Sequence, residues 1–176
     1  MKYFVFFLCL FLSINFCNAK TYKLGVTYTP QIAKEIAYKN VAKKIDMKKY
    51  EKYKIDKDNK IHLENISNGK NNFKNKIITL FSSENYSILY LNNRRVDYLY
   101  NKQGELLYIN ILKGNKFPYK DLCYDSEGRL VSVSLVVSGY EQFVFDTNGE
   151  LFAHWIGDNC YDIKGNLKKS RIEIKY

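Results

Sequence analysis

The chain has 176 residues, 46% of them hydrophobic and 16% aromatic, and a formal net charge of +10 at pH 7. It contains no glycine-rich phosphate loop, no motif that pairs a general acid with a general base, and no nucleophile elbow. The sequence motifs of the commonest nucleotide-binding and hydrolase classes are therefore excluded, and the length fits one compact domain.

The first 19 residues have the pattern of a secretory signal peptide. Residues 1–19 hold one lysine and no acidic residue, carry an apolar run at residues 3–16 and end in the tripeptide CNA. The apolar run is shorter than the roughly 20 residues of a membrane-spanning helix. We therefore predict cleavage after Ala19 and a secreted or periplasmic location, with a retained anchor, or a lipid on Cys17 or Cys9, as the alternatives. Cleavage leaves 157 residues (176 minus 19), which is enough for a genuine core.

The positive charge is concentrated in the N-terminal part of the chain. Residues 20–76 carry 15 basic and 6 acidic side chains, a net +9, whereas residues 77–176 carry 12 of each. Such a basic region suits an anionic partner such as a membrane or a polyanionic envelope polymer, and no nucleic-acid partner is expected. The alternative is that lysine serves here as a solubilising surface residue in a chain of biased composition.

The N-terminal region is predicted to contain one long amphipathic helix. A short strand is predicted at residues 20–27, and Thr29 followed by Pro30 is typical of a helix start. Residues 31–53 place apolar side chains near helical spacing with lysines between them, which predicts a cationic helix of about 18–22 residues. We expect its apolar stripe to lie on the sheet. The alternative, a helix on anionic lipid, is weakened by the lack of Trp and Phe.

The segment after this helix is predicted to lead into the sheet. Residues 53–61 resemble a degenerate fifth copy of the repeat described below. Asn59 stands in the position of glycine, and asparagine can replace glycine there because it tolerates a positive φ. Residues 65–75 are polar and are predicted to be a loop. The loop divides a basic helix-and-linker region, residues 20–75, from a sheet region, residues 76–176, and we expect one compact domain to contain both.

From residue 76 onward, the chain is predicted to be strands joined by turns, because apolar and polar residues alternate between clusters of turn-forming residues. Predicted strands cover residues 76–81, 86–91, 96–100, 105–112, 121–124, 129–137, 141–145, 150–156, 160–161 and 167–174. The strand at 129–137 alternates Val and Leu with Ser132 and Ser134, as expected of a half-buried strand.

One seven-residue motif occurs four times in this region. The copies are YNKQGEL at residues 100–106, YDSEGRL at 124–130, FDTNGEL at 145–151 and YDIKGNL at 161–167. Asp or Asn opens a type I turn by bonding to the backbone, and Gly takes the positive φ that closes a hairpin. The predicted turn residues are Asn101, Gly104, Asp125, Gly128, Asp146, Gly149, Asp162 and Gly165. The repeat therefore predicts a mainly β fold: an antiparallel meander of hairpins, open or rolled, with one N-terminal helix.

The second copy resembles a known repeat. The octapeptide CYDSEGRL at residues 123–130 is similar to the tyrosine-aspartate repeat of bacterial RHS-type surface proteins, and the spacing of its aromatic residue, Gly and Leu resembles MORN-variant repeats. The resemblance implies a β-hairpin unit whose aromatic residue and Leu fill a shared core. It covers residues 98–167 and implies no activity, and the chain is much shorter than the shells of the RHS-type proteins.

Cys123 and Cys160 are the cysteines outside the predicted signal peptide, and each precedes a Tyr-Asp pair of the repeat. A disulfide between them would close a loop of about 37 residues and contribute roughly 4 kcal/mol in the chain-entropy model. A flat meander, however, would separate them by four strand steps of about 4.8 Å, roughly 19 Å, whereas bonded Cα atoms lie within roughly 7 Å. The bond therefore implies a sheet that rolls onto itself, and two buried thiols are the alternative.

Few residues have the chemistry of a catalytic or metal site. A nucleophile pair of Cys160 and His154 lacks an orienting third group, and zinc needs three or four ligands, whereas His62 and His154 are the only histidines. Each turn offers too few carboxylates for Ca²⁺. No metal and no cofactor are expected. One patch, His154, Trp155 and Asp158, mixes residue types suited to a ligand, although packing in the core is the simpler interpretation.

These patterns together favour an exported, non-enzymatic β-hairpin repeat protein. We expect it to act as a binding or scaffold module in the cell envelope or outside it, with an unknown protein or glycan as its ligand. Two alternatives remain. One is an envelope-surface or membrane-associated protein held by its basic N-terminal helix, and the other is a hydrolase whose site is assembled across strands.

Overall fold

The computed structural model describes residues 28–70, 72–81 and 85–170. The predicted signal peptide, the predicted strand at residues 20–27 and the last four residues of the final predicted strand lie outside these ranges. Within them, three short helices precede eleven strands that pair antiparallel in chain order. The fold is therefore mainly β, an antiparallel meander, as the sequence predicts. The two edge strands do not pair, so the sheet is open.

The helices and strands have the following bounds. The helices are α1 (Pro30–Tyr38), a 3-10 helix (Met47–Tyr53) and α2 (Asn59–Ser67). The strands are β1 (Asn72–Phe73), β2 (Lys76–Leu80), β3 (Tyr86–Tyr90), β4 (Val96–Tyr100), β5 (Leu106–Lys113), β6 (Tyr119–Asp125), β7 (Leu130–Val136), β8 (Glu141–Asp146), β9 (Leu151–Ile156), β10 (Asn159–Tyr161) and β11 (Leu167–Ser170).

The four repeats form hairpin turns of the same geometry. In each turn the Asp or Asn side chain accepts hydrogen bonds from the backbone N–H groups two and four residues later, at 2.8–3.0 Å. The glycine has φ between +77° and +82° and donates its N–H to the carbonyl three residues earlier. This is a type I turn followed by a left-handed residue, where glycine avoids the clash of a Cβ. The predicted turn roles are therefore confirmed.

The helices pack on one face of the sheet, which we call the helix face. The repeat aromatics Tyr100, Tyr124 and Phe145 point to this face and are each 1% exposed. Ala33 and Ala37 of α1 are fully buried in the same core. The small alanine side chains let the helix backbone lie close to the strands, whereas Ile32 of the same helix is 46% exposed.

Two predictions for the N-terminal region are wrong. The helix predicted over residues 31–53 ends at Tyr38, and a separate 3-10 helix begins at Met47. The extended chain between them forms backbone hydrogen bonds with the sheet, and these replace the helical ones. Residues 53–61 are not a fifth hairpin, because Asn59 begins α2, which continues into the loop predicted at 65–75.

The chain between α1 and α2, residues 39–58, runs along the turns of the repeats, and we call it the strap. At the second repeat, Ile45 donates its N–H to the carbonyl of Gly128 at 2.9 Å, and Leu130 donates its N–H to the carbonyl of Lys43 at 2.8 Å. The strap therefore adds a short antiparallel bridge at this turn.

The same pair of bonds recurs at the first repeat, 11 residues further along the strap (56 − 45). Asp56 donates its N–H to the carbonyl of Gly104 at 2.8 Å, and Leu106 donates its N–H to the carbonyl of Lys54 at 2.9 Å. At the third repeat, α1 takes this place, because the Tyr38 hydroxyl donates to the carbonyl of Asp146. The N-terminal chain therefore meets the repeats in reverse order and encloses the core at each one.

Candidate functional site

The other face of the sheet, which we call the polar face, carries buried hydrogen-bonding side chains. Successive side chains of a strand point to opposite faces, so the residues next to the helix-face rings point here. The buried polar residues on this face are 0–5% exposed: Ser87, Asp97, Asn110, Asp121, Ser132, Ser134 and Gln142. A sheet face of this kind is unusual, because buried strand positions are mostly apolar.

The strand register brings five of these residues together, and we call them the polar patch. They are Asp97 on β4, Asn110 on β5, Asp121 on β6, and Ser132 and Ser134 on β7. Asp97 lies opposite Asn110, and Asp121 lies opposite Ser134. Directly opposed residues have Cβ atoms about 4.5–5.5 Å apart. Asn110 lies opposite Cys123, which in turn lies opposite Ser132, so the Cys123 thiol lies between the members of the patch on β5 and β7.

Four side-chain atoms of the polar patch have no hydrogen-bond partner in the described part of the chain. They are Asn110 Oδ1, Asp121 Oδ1, Ser132 Oγ and Ser134 Oγ. A buried polar atom left unpaired costs roughly 1–3 kcal/mol, and few are found in native proteins. All four atoms can accept a hydrogen bond. The polar patch is therefore a buried cluster of two carbonyl or carboxyl oxygens and two hydroxyls, and the oxygens of all four groups could accept a hydrogen bond from a donor.

The two carboxyl groups of the polar patch are held partly neutral. Burial, with a smaller contribution from the nearby Asp121, raises the pKa of Asp97 to about 7 against the opposing effect of hydrogen bonding with Ser87 and Asn110. Burial alone raises the pKa of Asp121 to about 7. Across β4–β8, no Lys, Arg or His side chain points to the polar face, so no cation of these strands compensates the two acids.

A second polar cluster joins α2 to the helix face. His62 is fully buried, and its Nδ1 lies 2.6 Å from Asp56 Oδ2. The Tyr86 hydroxyl donates to the same carboxylate oxygen at 2.6 Å. On the other side of the ring, Lys76 Nζ lies 3.2 Å from His62 Nε2 and 3.3 Å from Asp58 Oδ2. His62 therefore donates from Nδ1 and accepts the ammonium proton at Nε2.

This cluster has metal-binding side chains, but a cation already occupies it. The nearest ligand atoms of Asp56, Asp58 and His62 lie within 4.8 Å of one another. The Lys76 ammonium contacts two of these three residues, so a divalent ion would have to displace it. Burial alone would raise the pKa of Asp56, but the hydrogen bonds from His62 and Tyr86 lower it below its usual value. The cluster holds a charged carboxylate under α2 and fastens that helix to the sheet.

The predicted ligand patch is not brought together. His154 and Trp155 are neighbours on β9 and therefore point to opposite faces. His154 Nε2 lies 3.0 Å from Glu141 Oε1 on the helix face, and its ring stacks on Phe143 with centroids 4.0 Å apart. Trp155 is buried in a small apolar cluster on the polar face, and Asp158 lies in an exposed turn.

The two cysteines are not brought together either. Cys123 lies on β6 and Cys160 on β10, so three strands of the open sheet separate them, and they do not form a disulfide with each other. Both are buried. Cys160 lies opposite Trp155 on the polar face, whereas His154 points to the helix face. A nucleophile pair of Cys160 and His154 is therefore not formed.

The sequence gives little sign of the polar patch. Asp97 and Asn110 alternate with apolar residues, and such a pattern normally indicates a strand with one side in water. Asp121 lies between Lys120 and Leu122. Ser132 and Ser134 were expected on a half-buried strand, yet they are 3% and 0% exposed. The one available signal is that three neighbouring strands carry Asp or Asn on the side away from the aromatic residues of the repeats.

No protein-family model, curated protein or solved structure matches this chain. None of the helices in the described ranges has the length and apolar character needed to cross a membrane. The class that can be stated is therefore architectural: an open antiparallel meander of repeated hairpins, braced on one face by an N-terminal strap.

Proposed function

We propose that the protein is an exported, non-enzymatic binding module that holds a small hydrogen-bonding ligand on the polar face of its sheet. The observation that carries this proposal is the set of four buried, unpartnered acceptor atoms on neighbouring strands. A core without a ligand function would be more stable with apolar residues at these positions, because unpaired buried polar atoms are costly. Binding sites commonly accept such a loss of stability in exchange for function.

The chemistry around the patch supports binding rather than catalysis. Burial raises the pKa of the Cys123 thiol, with a further contribution from Asp121, so the thiol stays protonated and unreactive at neutral pH. Neither histidine belongs to the patch, because His62 and His154 both contact the helix face. Asp121 lies opposite Ser134, but neither the Ser132 nor the Ser134 hydroxyl forms a hydrogen bond with a base in the described part of the chain.

Binding is tested with small probes and one pair of variants. The purified protein is titrated with 1,4-diaminobutane, 1,4-butanediol and acetamide while backbone amide chemical shifts are recorded. We expect at least one probe to shift amides of β5–β7 in a saturable way. Ser134→Ala should weaken binding by about fivefold, since a hydrogen bond contributes roughly 1 kcal/mol. Ser126→Ala, in an exposed turn, should leave it unchanged.

The proposal fails if no probe gives saturable shifts at β5–β7, or if both serine variants bind as the unaltered protein does. Its non-enzymatic part is tested separately by mass spectrometry of the probes after long incubation. Recovery of every probe unchanged is the expected result. Turnover that is lost in Ser134→Ala would show that the patch is catalytic.

The exposed lysines of the N-terminal region favour attachment to an anionic surface as a second candidate. Among the described residues they are Lys39, Lys43, Lys44, Lys48, Lys49, Lys52, Lys54, Lys57, Lys60, Lys70 and Lys74. Because Ala33 and Ala37 are buried against the sheet, such attachment would be electrostatic, without an inserted apolar face.

Vesicles of acidic and of neutral lipid distinguish this candidate. We expect the protein to float with acidic vesicles at about 50 mM salt and to dissociate at about 300 mM, because screening weakens contacts between exposed charges. Replacing Lys43, Lys44, Lys48 and Lys49 by Gln should abolish flotation. Equal flotation at both salt concentrations, or none, would exclude the candidate.

A further inference from the structure

The charges and spacing of the polar patch indicate the chemical class of its ligand. Resting on the binding function proposed above, we infer that the patch binds an organic ammonium compound, with a protonated nitrogen against each of the carboxylates of Asp97 and Asp121. The oxygens of Asn110, Ser132 and Ser134 accept the remaining N–H or O–H groups of that ligand.

The first reason is charge. The described chain has four buried carboxyl groups, and two of them have a histidine partner: Asp56 with His62, and Glu141 with His154. Asp97 and Asp121 have no cationic partner among the described residues. Buried carboxylates in proteins are normally paired with a cation, because an unpaired ion in a low-dielectric interior is costly. An ammonium group supplies that missing partner and offers up to three N–H donors.

The second reason is size. Asp97 and Asp121 lie two strands apart in the sheet and are also displaced by two residues along the strand direction. With about 4.8 Å between strands and about 3.4 Å per residue, their α-carbons are about 12 Å apart. Among the described residues, Asp97 and Asp121 belong to no group of three metal-ligating side chains whose ligand atoms lie within 4.8 Å of one another, so the patch does not have the close ligand set of a metal site. A small organic cation with several donors can span the patch.

Protons compete with such a ligand for the same two carboxyl groups. Asp97 and Asp121 titrate near pH 7 in the empty protein, so the amine should bind more tightly as the pH rises towards 8 and should release protons. The other titratable groups on this face are Tyr108, Tyr119, Cys123, Asp125, Asp146, Cys160 and Lys169, and burial, with a further effect of Asp121, raises the pKa of Tyr119. Burial raises the pKa of Tyr108 and of Cys123, and hydrogen bonds from Arg129 and two backbone amides lower that of Asp125 against the opposing effect of burial. These three groups therefore titrate outside that window.

Isothermal titration calorimetry with matched probes tests the inference. The probes are 1,4-diaminobutane, the neutral 1,4-butanediol of the same length, and calcium chloride, each titrated into the purified protein. We expect the diamine to bind at least about tenfold more tightly than the diol, and about tenfold more tightly at about pH 8 than at about pH 5.5. Repeating the titration in buffers of different ionisation enthalpy should reveal proton release.

Two variants separate the patch from general surface charge. Asp121→Asn should weaken diamine binding by about tenfold. If that variant is too unstable to test, Asp97→Asn replaces it and should weaken binding by the same factor. Glu127→Gln removes an acid from an exposed turn and should leave the affinity unchanged. Similar losses in Asp121→Asn and Glu127→Gln would mean that the diamine binds by surface charge alone, and the inference would be wrong.

The remaining outcomes distinguish the ligand class from the binding function. If the diol binds as tightly as the diamine, or if calcium binds and the diamine does not, the ammonium class is wrong while the polar patch remains a binding site. If none of the probes binds at the patch, ordered water satisfies the acceptor atoms, and both proposals fail.

Discussion

The contact between the strap and the second repeat can be measured with two glycine substitutions. Gly128 and Gly165 occupy the same position of the repeat and have nearly the same φ, +80° and +79°. A Cβ added at Gly128 would lie 2.7 Å from the carbonyl oxygen of Ile45 and 2.8 Å from Cγ of Met47, whereas a Cβ at Gly165 would meet no atom within 4 Å. Gly165→Ala is therefore a matched control for Gly128→Ala.

The difference between the two variants isolates the strap. Both should lose about 1–2 kcal/mol of stability, because an L-residue with a Cβ is strained at positive φ. In Gly128→Ala the strap must also move, which breaks the bonds from Ile45 to Gly128 and from Leu130 to Lys43. Each such bond contributes about 0.5–1.5 kcal/mol, so Gly128→Ala should lose about 1–3 kcal/mol more than Gly165→Ala.

Urea unfolding of the two variants and the unaltered protein gives this difference, and amide hydrogen exchange locates it. We expect faster exchange of the Ile45 and Leu130 amides in Gly128→Ala and unchanged exchange of both in Gly165→Ala. Equal losses of stability in the two variants, with the Ile45 amide still protected, would refute the assignment of residues 39–58 as a strap that holds the sheet.

Three further predictions follow from the buried polar groups. Asp97 and Asp121 keep their protons to about pH 7 in the folded state but lose them near pH 4 when unfolded. The free energy of unfolding should therefore fall between pH 4 and 7, by about 1.4 kcal/mol per pH unit for each carboxyl, and thermal unfolding of Asp121→Asn should show a shallower fall. His62→Ala removes one of the two side-chain partners of the buried Asp56 carboxylate, leaving the Tyr86 hydroxyl, and should cost about 3 kcal/mol in urea unfolding, against under about 1 kcal/mol for the exposed Asp58→Asn. Thiol titration of the denatured, unreduced protein should find the two cysteines of the repeat region reactive, and a bridge between them would contradict the open sheet.

Local interactions explain why the hairpins could be predicted from the sequence. The Asp125 side chain bonds to amides within four residues of itself, and Gly128 closes the same turn. Everything that determines this geometry lies within one copy of the repeat. The strand at residues 96–100 was predicted with the bounds that it has, because short turns on both sides limit it.

Distant interactions explain why the strap could not be predicted. The apolar residues of 31–53 have helical spacing, yet Ile45 forms its backbone bond with Gly128, 83 residues away (128 − 45). Helical spacing of apolar residues indicates only that their side chains are buried on one side of the segment. A chain that changes from helix to extended strap can bury the same side chains. The polar patch was missed for a related reason, since alternation assigns Ser134 to a face but does not reveal whether that face is buried.

The four repeats also show that formation of the turn and burial in the core are separate properties of a copy. All four copies form the same turn, but the Leu that ends the copy is 5% exposed at Leu106, 9% at Leu130 and 57% at Leu167. The two buried leucines donate their N–H groups to the strap, whereas no described residue approaches the Cβ position of Gly165 in the fourth turn. Burial of a repeat is therefore conferred by the chain that crosses it. A resemblance through the motif alone can transfer the hairpin to another protein, but it transfers neither the core nor the polar patch on the opposite face.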